Sequence, residues 1–164
     1  MTNSKVDPRL IHLNYIRILK AYLNVSDDFL NDPKEIQGFN LGTKSESGFN
    51  IDEKLLRFRI FIRLTGIDKD QNNIGVEGEY VIEYLYEIEN MEDFISYSDK
   101  PKKKEEFNVA TDIGATIAGI SYSTARGIVL DRTLGTDFNG VLLPVINPSE
   151  LLEVDTYTQE DKTP

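Results

Sequence analysis

Residues 55–64, LLRFRIFIRL, and residues 79–89, EYVIEYLYEIE, decide the fold. Apolar and polar side chains alternate in both, and a period of two is that of a strand with one buried face. The first run places Leu56, Phe58, Ile60, Ile62 and Leu64 on one side and Arg57, Arg59, Phe61 and Arg63 on the other. The second places Tyr80, Ile82, Tyr84, Tyr86 and Ile88 opposite Glu79, Val81, Glu83, Leu85, Glu87 and Glu89. An arginine row and a glutamate row suit adjacent antiparallel strands, where a good cross-strand pair contributes roughly 0.2–1 kcal/mol. The expected sheet therefore has one dry side and one wet side.

The connector, GIDKDQNNIGVEGE, sets Asp68, Asp70, Asn72 and Glu79 at offsets that imitate a calcium loop. Asn73 stands where that loop needs glycine, and strands flank it where helices are required, so these residues are expected to serve the turn. Upstream, residues 11–25 (IHLNYIRILKAYLNV) read as a third strand, with Ile11, Leu13, Tyr15, Leu19 and Leu23 sharing a face by strict alternation, although Asp7-Pro8 also suits a helix start. Residues 36–51 (IQGFNLGTKSESGFNI) carry three glycines and predict an irregular fourth strand; GFNLGTKS within them imitates a phosphate loop one residue short of the required spacing. SYSDKPKKKEE, from Ser96, has no apolar period and reads as a flexible connector.

A long helix follows, with Asn108 placed to cap it and Gly135 to end it. Ile113, Ile117, Ile120, Thr124 and Ile128 form one stripe, and Ala115, Gly119, Ser123 and Gly127, four apart, form a small-residue ridge. Glycine inside a helix costs about 1 kcal/mol against alanine, so the ridge is expected to let another backbone approach, as in a helix-to-helix subunit contact. Residues 141–152 (VLLPVINPSELL) then predict an apolar arm or strand and a short final helix capped by Asn147, with Pro148 in its first turn and Glu150 completing a capping box. Residues 1–154 form one expected domain, and 155–164 a polar tail expected to fray.

Composition excludes more than it assigns. Twenty-eight acidic and eighteen basic residues give a net charge of −10, which opposes binding to nucleic-acid phosphates and anionic lipid. Without cysteine there is no disulfide, thiolate metal site or cysteine nucleophile, and one histidine, His12, cannot build a usual zinc site. Ser121, Ser123 and Thr124 have no nucleophile-elbow sequence and read as packing residues; Arg126 reads as a side chain that lies along the surface or pairs with a carboxylate. No catalytic residue, metal or cofactor is expected. The opening MTNSKVDPRL has neither the basic nor the apolar region of a leader, and no apolar run approaches membrane length, so cytoplasmic residence is expected.

The order of four antiparallel strands, long helix, apolar segment with Pro-Val and short final helix resembles the SecB family of export chaperones. Ala125-Arg126, Gly135-Thr136, Pro144-Val145 and Leu151-Leu152 match that family's Ala-Arg, Gly-Thr, Pro-Val and terminal apolar landmarks in order, and LYEIENMEDF, from Leu85, resembles the end of its fourth strand. Ser123 and Thr124 replace the family's proline and tyrosine before Ala-Arg, and the step to Gly-Thr differs by one residue. The resemblance implies an α+β, SecB-like fold: a four-stranded antiparallel sheet against a long C-terminal helix and a short final helix. It implies an ATP-independent holdase for unfolded polypeptides, a homotetramer without nucleotide or metal, serving either preprotein export with a SecA-type motor or a labile antitoxin in a toxin–antitoxin–chaperone system. Carried onto this chain, client binding falls to Phe94, Phe107, Phe138, Leu142, Leu143 and Val145, and motor docking to Leu85 and Glu87 on the wet face. The small ridge of Ala115, Gly119, Ser123 and Gly127 fits the helical subunit interface. The alternative is an oligomeric interaction protein dedicated to one folded partner; an enzyme ranks third.

Overall fold

The computed structural model describes residues 5–97, 106–152 and 157–158. Strands β1 (Ile11–Val25), β2 (Gly38–Asn50), β3 (Leu55–Ile67) and β4 (Asn73–Ile88) form one antiparallel sheet in the order β1-β4-β3-β2. A short helix α1 (Asp27–Asn31) joins β1 to β2, with the Ser26 hydroxyl capping it at the Phe29 amide. The alternation read from β3 and β4 is realised. Leu56, Phe58, Ile60, Ile62, Leu64, Tyr80, Ile82, Tyr84, Tyr86 and Ile88 are all 2% exposed or less on the inner face.

On the outer face Arg59 opposes Glu83 and Arg63 opposes Glu79 in register. Arg59 donates from Nε to Glu83 at 3.2 Å, whereas Arg63 turns to Glu77 at 3.6 Å because Lys20 of β1 holds Glu79 at 2.8 Å.

β1 is a strand, but it does not alternate strictly. Its register against β4 slips between Leu13 and Tyr15 and again between Ile18 and Lys20, so Asn14 and Leu19 are bulged residues. Each bulge reverses the phase. The inner face consequently collects Ile11, Leu13, Ile16, Ile18, Ala21, Leu23 and Val25, while His12, Tyr15, Arg17, Lys20 and Tyr22 face outward. The face expected from unbroken alternation is therefore corrected: Tyr15 and the bulged Leu19 leave it, and Ile16 and Ile18 join it.

β2 is also more regular than its glycines suggest, pairing with β3 without a break from Gly38–Ile67 to Asn50–Leu55. The phosphate-loop imitation is thus part of a strand. In the β3–β4 turn the Asp68 carboxylate accepts the amides of Asp70 at 2.9 Å and Asn72 at 3.0 Å, the turn chemistry expected of it. No group of three potential metal-ligating side chains occurs among the described residues.

A second sheet, β5 (Ile95–Tyr97), β6 (Glu106–Val109) and β7 (Tyr157–Thr158) in the order β5-β6-β7, was not legible in the sequence. It corrects three boundaries. Asn108 pairs with Ser96 and does not cap the long helix, α2, which runs from Thr111 to Thr133 with Ala110 at its N-cap. The connector starts with a strand at Ile95–Tyr97, its residues 98–105 lying outside the described residues, and Tyr157–Thr158 of the expected tail join β6. Gly135 follows α2 in the left-handed conformation, φ +73°. The short final helix is a single 3-10 turn, Pro148–Leu151, capped at the Ser149 amide by Asn147.

Candidate functional site

Helix α2 packs on β3 and β4 through Ile113, Ile117, Ala118, Ser121, Tyr122, Ala125, Val129 and Thr133. Small side chains at 118, 121 and 125 bring it close to the aromatic row of β4. The Tyr86 hydroxyl meets Ser121 Oγ at 2.8 Å, which places Ser121 in the packing role its surroundings predicted. Burial pushes the Tyr86 phenol up, and the Ser121 hydrogen bond opposes that shift. Tyr84, stacked on Tyr86 at 6.4 Å, has a buried hydroxyl with no hydrogen-bond partner among the described residues, and burial pushes its phenol up further. The isoleucine stripe divides: Ile113 and Ile117 are buried, while Ile120 is 40% exposed.

The arm, residues 141–152, runs antiparallel along one flank of α2. Val141 donates its amide to Thr133 Oγ1 at 2.7 Å, Arg126 Nε donates to the Leu143 carbonyl at 2.8 Å, and the Tyr122 hydroxyl donates to the Pro144 carbonyl at 3.0 Å. Farther along, a Cβ on Gly119 would stand 3.3 Å from Pro148, and one on Gly114 3.1 Å from Leu152. From Thr133 back to Gly114 the helix axis rises about 28 Å; the Pro148–Leu151 turn covers only about 8 Å of it, so residues 141–147 run nearly extended.

Burial follows from that extension. Val141, Leu143 and Leu151 point into the core, whereas Leu142 is 61% and Val145 82% exposed. Leu134, also exposed, packs beside Gly140 at the root of the arm, where φ is +86°. Leu134, Leu142 and Val145 thus make an exposed apolar rim along the arm and its root, beside the core anchors Val141, Leu143 and Leu151.

Of the six residues expected to contact a client, the structure therefore leaves Leu142 and Val145 accessible. Phe94, Phe107, Phe138 and Leu143 are core residues in the single chain: Phe107 meets Phe49 edge-on at 5.7 Å, and the Phe138 ring lies over Gly78. Leu134 was not singled out, and neither was the grip of Tyr122 and Arg126; their i, i+4 spacing beside an apolar arm was the available signal.

A second apolar surface lies on the other side of α2. Ser45 of β2 donates to the Leu151 carbonyl, which fixes the arm on the β2 side of the helix, and β1 is the opposite edge of the sheet. At 100° per residue, Ile120, Thr124 and Ile128 stand on the flank turned away from the arm. The ends of the β1 inner face, Ile11, Leu23 and Val25, pack against the core, but Leu13, Ile16 and Ile18 in its middle remain 38–40% exposed.

The ridge expected at a subunit interface is split by the arm. Ala115 and Gly119 lie toward it, with Gly119 covered by Pro148, while Ser123 is exposed and Gly127 has no atom within 4 Å of a would-be Cβ.

On the outer sheet face, Leu85 is buried between Tyr15 and Arg57, and Glu87 is exposed between His12 and Leu55. Arg17 lies 4.3 Å over the Tyr15 ring. Burial alone would raise the Glu83 carboxyl, but the hydrogen bond and charge of Arg59 outweigh it and hold the group below its usual range. His12 meets Glu89 at 2.7 Å, an exposed pair at the rim of the face.

No protein-family model matches the chain, and no curated protein matches it in sequence. Among solved structures it is similar to a SecB-like chaperone of Mycobacterium tuberculosis in complex with a ChAD peptide from the HigA1 antitoxin. The identity is 16%, 84% of this chain and 91% of that one are covered, and the TM-score is 0.51. A protein of unknown function from Streptococcus agalactiae aligns at 10% identity over 82% of this chain and 97% of that one, with a TM-score of 0.42. The α+β fold of this chain is SecB-like, as the order of its elements predicted.

Proposed function

We propose that the chain is an ATP-independent chaperone that holds unfolded polypeptide on its exposed apolar rim. The observation that carries this reading is the arm: Leu142 and Val145 stand 61% and 82% exposed on a segment anchored in the core by Val141, Leu143 and Leu151. A lone exposed apolar side chain is ordinary, but two on the extended arm with Leu134 at its root offer weak subsites for an extended client. Burial is worth roughly 25 cal/mol per Å² of apolar surface, so several such contacts hold a chain without a covalent step. No catalytic residue enters this reading.

The client favoured is a labile antitoxin, because the similar mycobacterial chaperone was solved with an antitoxin peptide. Export is disfavoured by the outer face. The family's motor docks on an acidic sheet surface, whereas here Leu85 is buried and Arg57, Arg59 and Arg63 line the neighbouring strand. The cytoplasm and a homotetramer belong to the same proposal, with the open inner face of β1 and the flank of Ile120 and Ile128 as surfaces that another subunit covers. Purified protein at stoichiometric concentration, without nucleotide, is expected to delay light scattering by a heat-unfolding model protein; scattering unchanged at tenfold excess would count against the proposal.

A further inference from the structure

The arm is anchored at its two ends, by the Val141 amide on Thr133 and the Leu151 carbonyl on Ser45, and differently in its middle. Among the described residues no backbone–backbone hydrogen bond involves residues 142–146, and the Leu143 and Pro144 carbonyls are instead gripped from the helix by Arg126 Nε and the Tyr122 hydroxyl. These donors are one helical turn apart on α2 and hold two consecutive peptide groups. The gripped pair lies directly between Leu142 and Val145, the two most exposed apolar side chains of the arm. An arm fixed at those two carbonyls fixes the spacing and direction of both side chains.

We infer that Tyr122 and Arg126 are positioning residues that set client affinity by holding the arm in its binding shape. The inference rests on the chaperone reading above. The core anchors of the strap, Val141, Leu143 and Leu151, are apolar and survive loss of the two hydrogen bonds, so the strap stays attached while its exposed part loosens. A client must then order that segment itself, and the ordering free energy is subtracted from binding. The Arg126 contact uses Nε, the atom whose place the Gln side-chain amide nitrogen takes, so the donor is separable from the guanidinium charge.

Arg126→Met removes the donor and keeps most of the stem, Arg126→Gln keeps a donor at the same distance from the backbone, and Tyr122→Phe removes only the hydroxyl. Affinity for a reduced, carboxymethylated unfolded protein is measured by fluorescence anisotropy, alongside the thermal midpoint and the methyl order parameters of Leu142 and Val145 by NMR. The double variant Tyr122→Phe/Arg126→Met is expected to bind about tenfold more weakly. Its Leu142 and Val145 methyl groups become more mobile while the midpoint falls by only a few degrees, and Arg126→Gln behaves as wild type. Wild-type affinity in the double variant, or an Arg126→Gln protein as weak as Arg126→Met, overturns the positioning role. If the wild-type protein captures no unfolded chain, the chaperone reading itself fails, and unaltered Leu142 and Val145 methyl order in the double variant then refutes the grip independently.

Discussion

The hydroxyl of Tyr86 and Oγ of Ser121 lie 2.8 Å apart with Ser121 fully buried, tying the middle of α2 to the central strand of the sheet. Removing one partner strands the other in an apolar setting. Ser121→Ala is expected to cost about 1–2 kcal/mol despite alanine's better helix propensity, because the Tyr86 hydroxyl is left unpaired. Tyr86→Phe costs less, since Ser121 can turn to a carbonyl of its own helix. Urea unfolding of both single variants and the double variant should give a coupling energy of about 1 kcal/mol; additive effects would deny the tie.

Gly75 shows a harder constraint. Its φ is +81°, and a Cβ there would stand 2.0 Å from the Oγ of Ser26, the cap of α1. Gly75→Ala is expected to destabilise by at least about 2 kcal/mol through backbone strain and overlap together. Adding Ser26→Ala relieves the Oγ overlap but neither the strain nor the 2.9 Å approach of the Ser26 Cβ, so chemical denaturation should show only partial recovery.

The buried Glu83 gives the outer face a pH signature. Its folded pKa lies below its ordinary 4.5, so its stabilising contribution is fully present above pH 4.5 and lost as pH falls through the lower folded value. Glu83→Gln should flatten that part of the acid limb in a plot of urea midpoint against pH. Arg59→Ala, which leaves the carboxylate without its main partner, is expected to cost about 2 kcal/mol at neutral pH and to move loss of stability toward higher pH.

Assembly is testable at β1. Ile16→Lys places a charge in the open centre of the inner face and is expected to convert the proposed tetramer to smaller species in light scattering, with circular dichroism unchanged. Gly127→Leu tests the exposed end of the small ridge in the same measurement. A monomeric wild-type protein would contradict both.

The two fold-deciding strands were legible because a half-buried strand must alternate, and the acidic turn between them because aspartate and asparagine satisfy local amides. The bulges at Asn14 and Leu19 were not, since each merely inverts a phase that either register could satisfy. Asn108 misled because a good capping residue also fits a strand, and its partner Ser96 lies beyond a connector with no period of its own. Within the candidate site, the apolar arm was readable from its composition, but which of its side chains point outward depends on the helix donors that grip it. Phe94, Phe107, Phe138 and Leu143 share the apolar character of Leu142 and Val145, and only the packing separates them.

Under the proposed function, the exposed rim of the arm holds unfolded polypeptide without nucleotide. The most direct test is equilibrium binding of a fluorescent, permanently unfolded protein to wild type and to Leu142→Ser/Val145→Ser, challenged with an unrelated unfolded chain. Nucleotide-independent binding to wild type, displacement by the unrelated chain, and affinity at least about tenfold weaker in the double variant are expected. Equal affinity in both proteins, or a bound protein that unrelated unfolded chains do not displace, would contradict it.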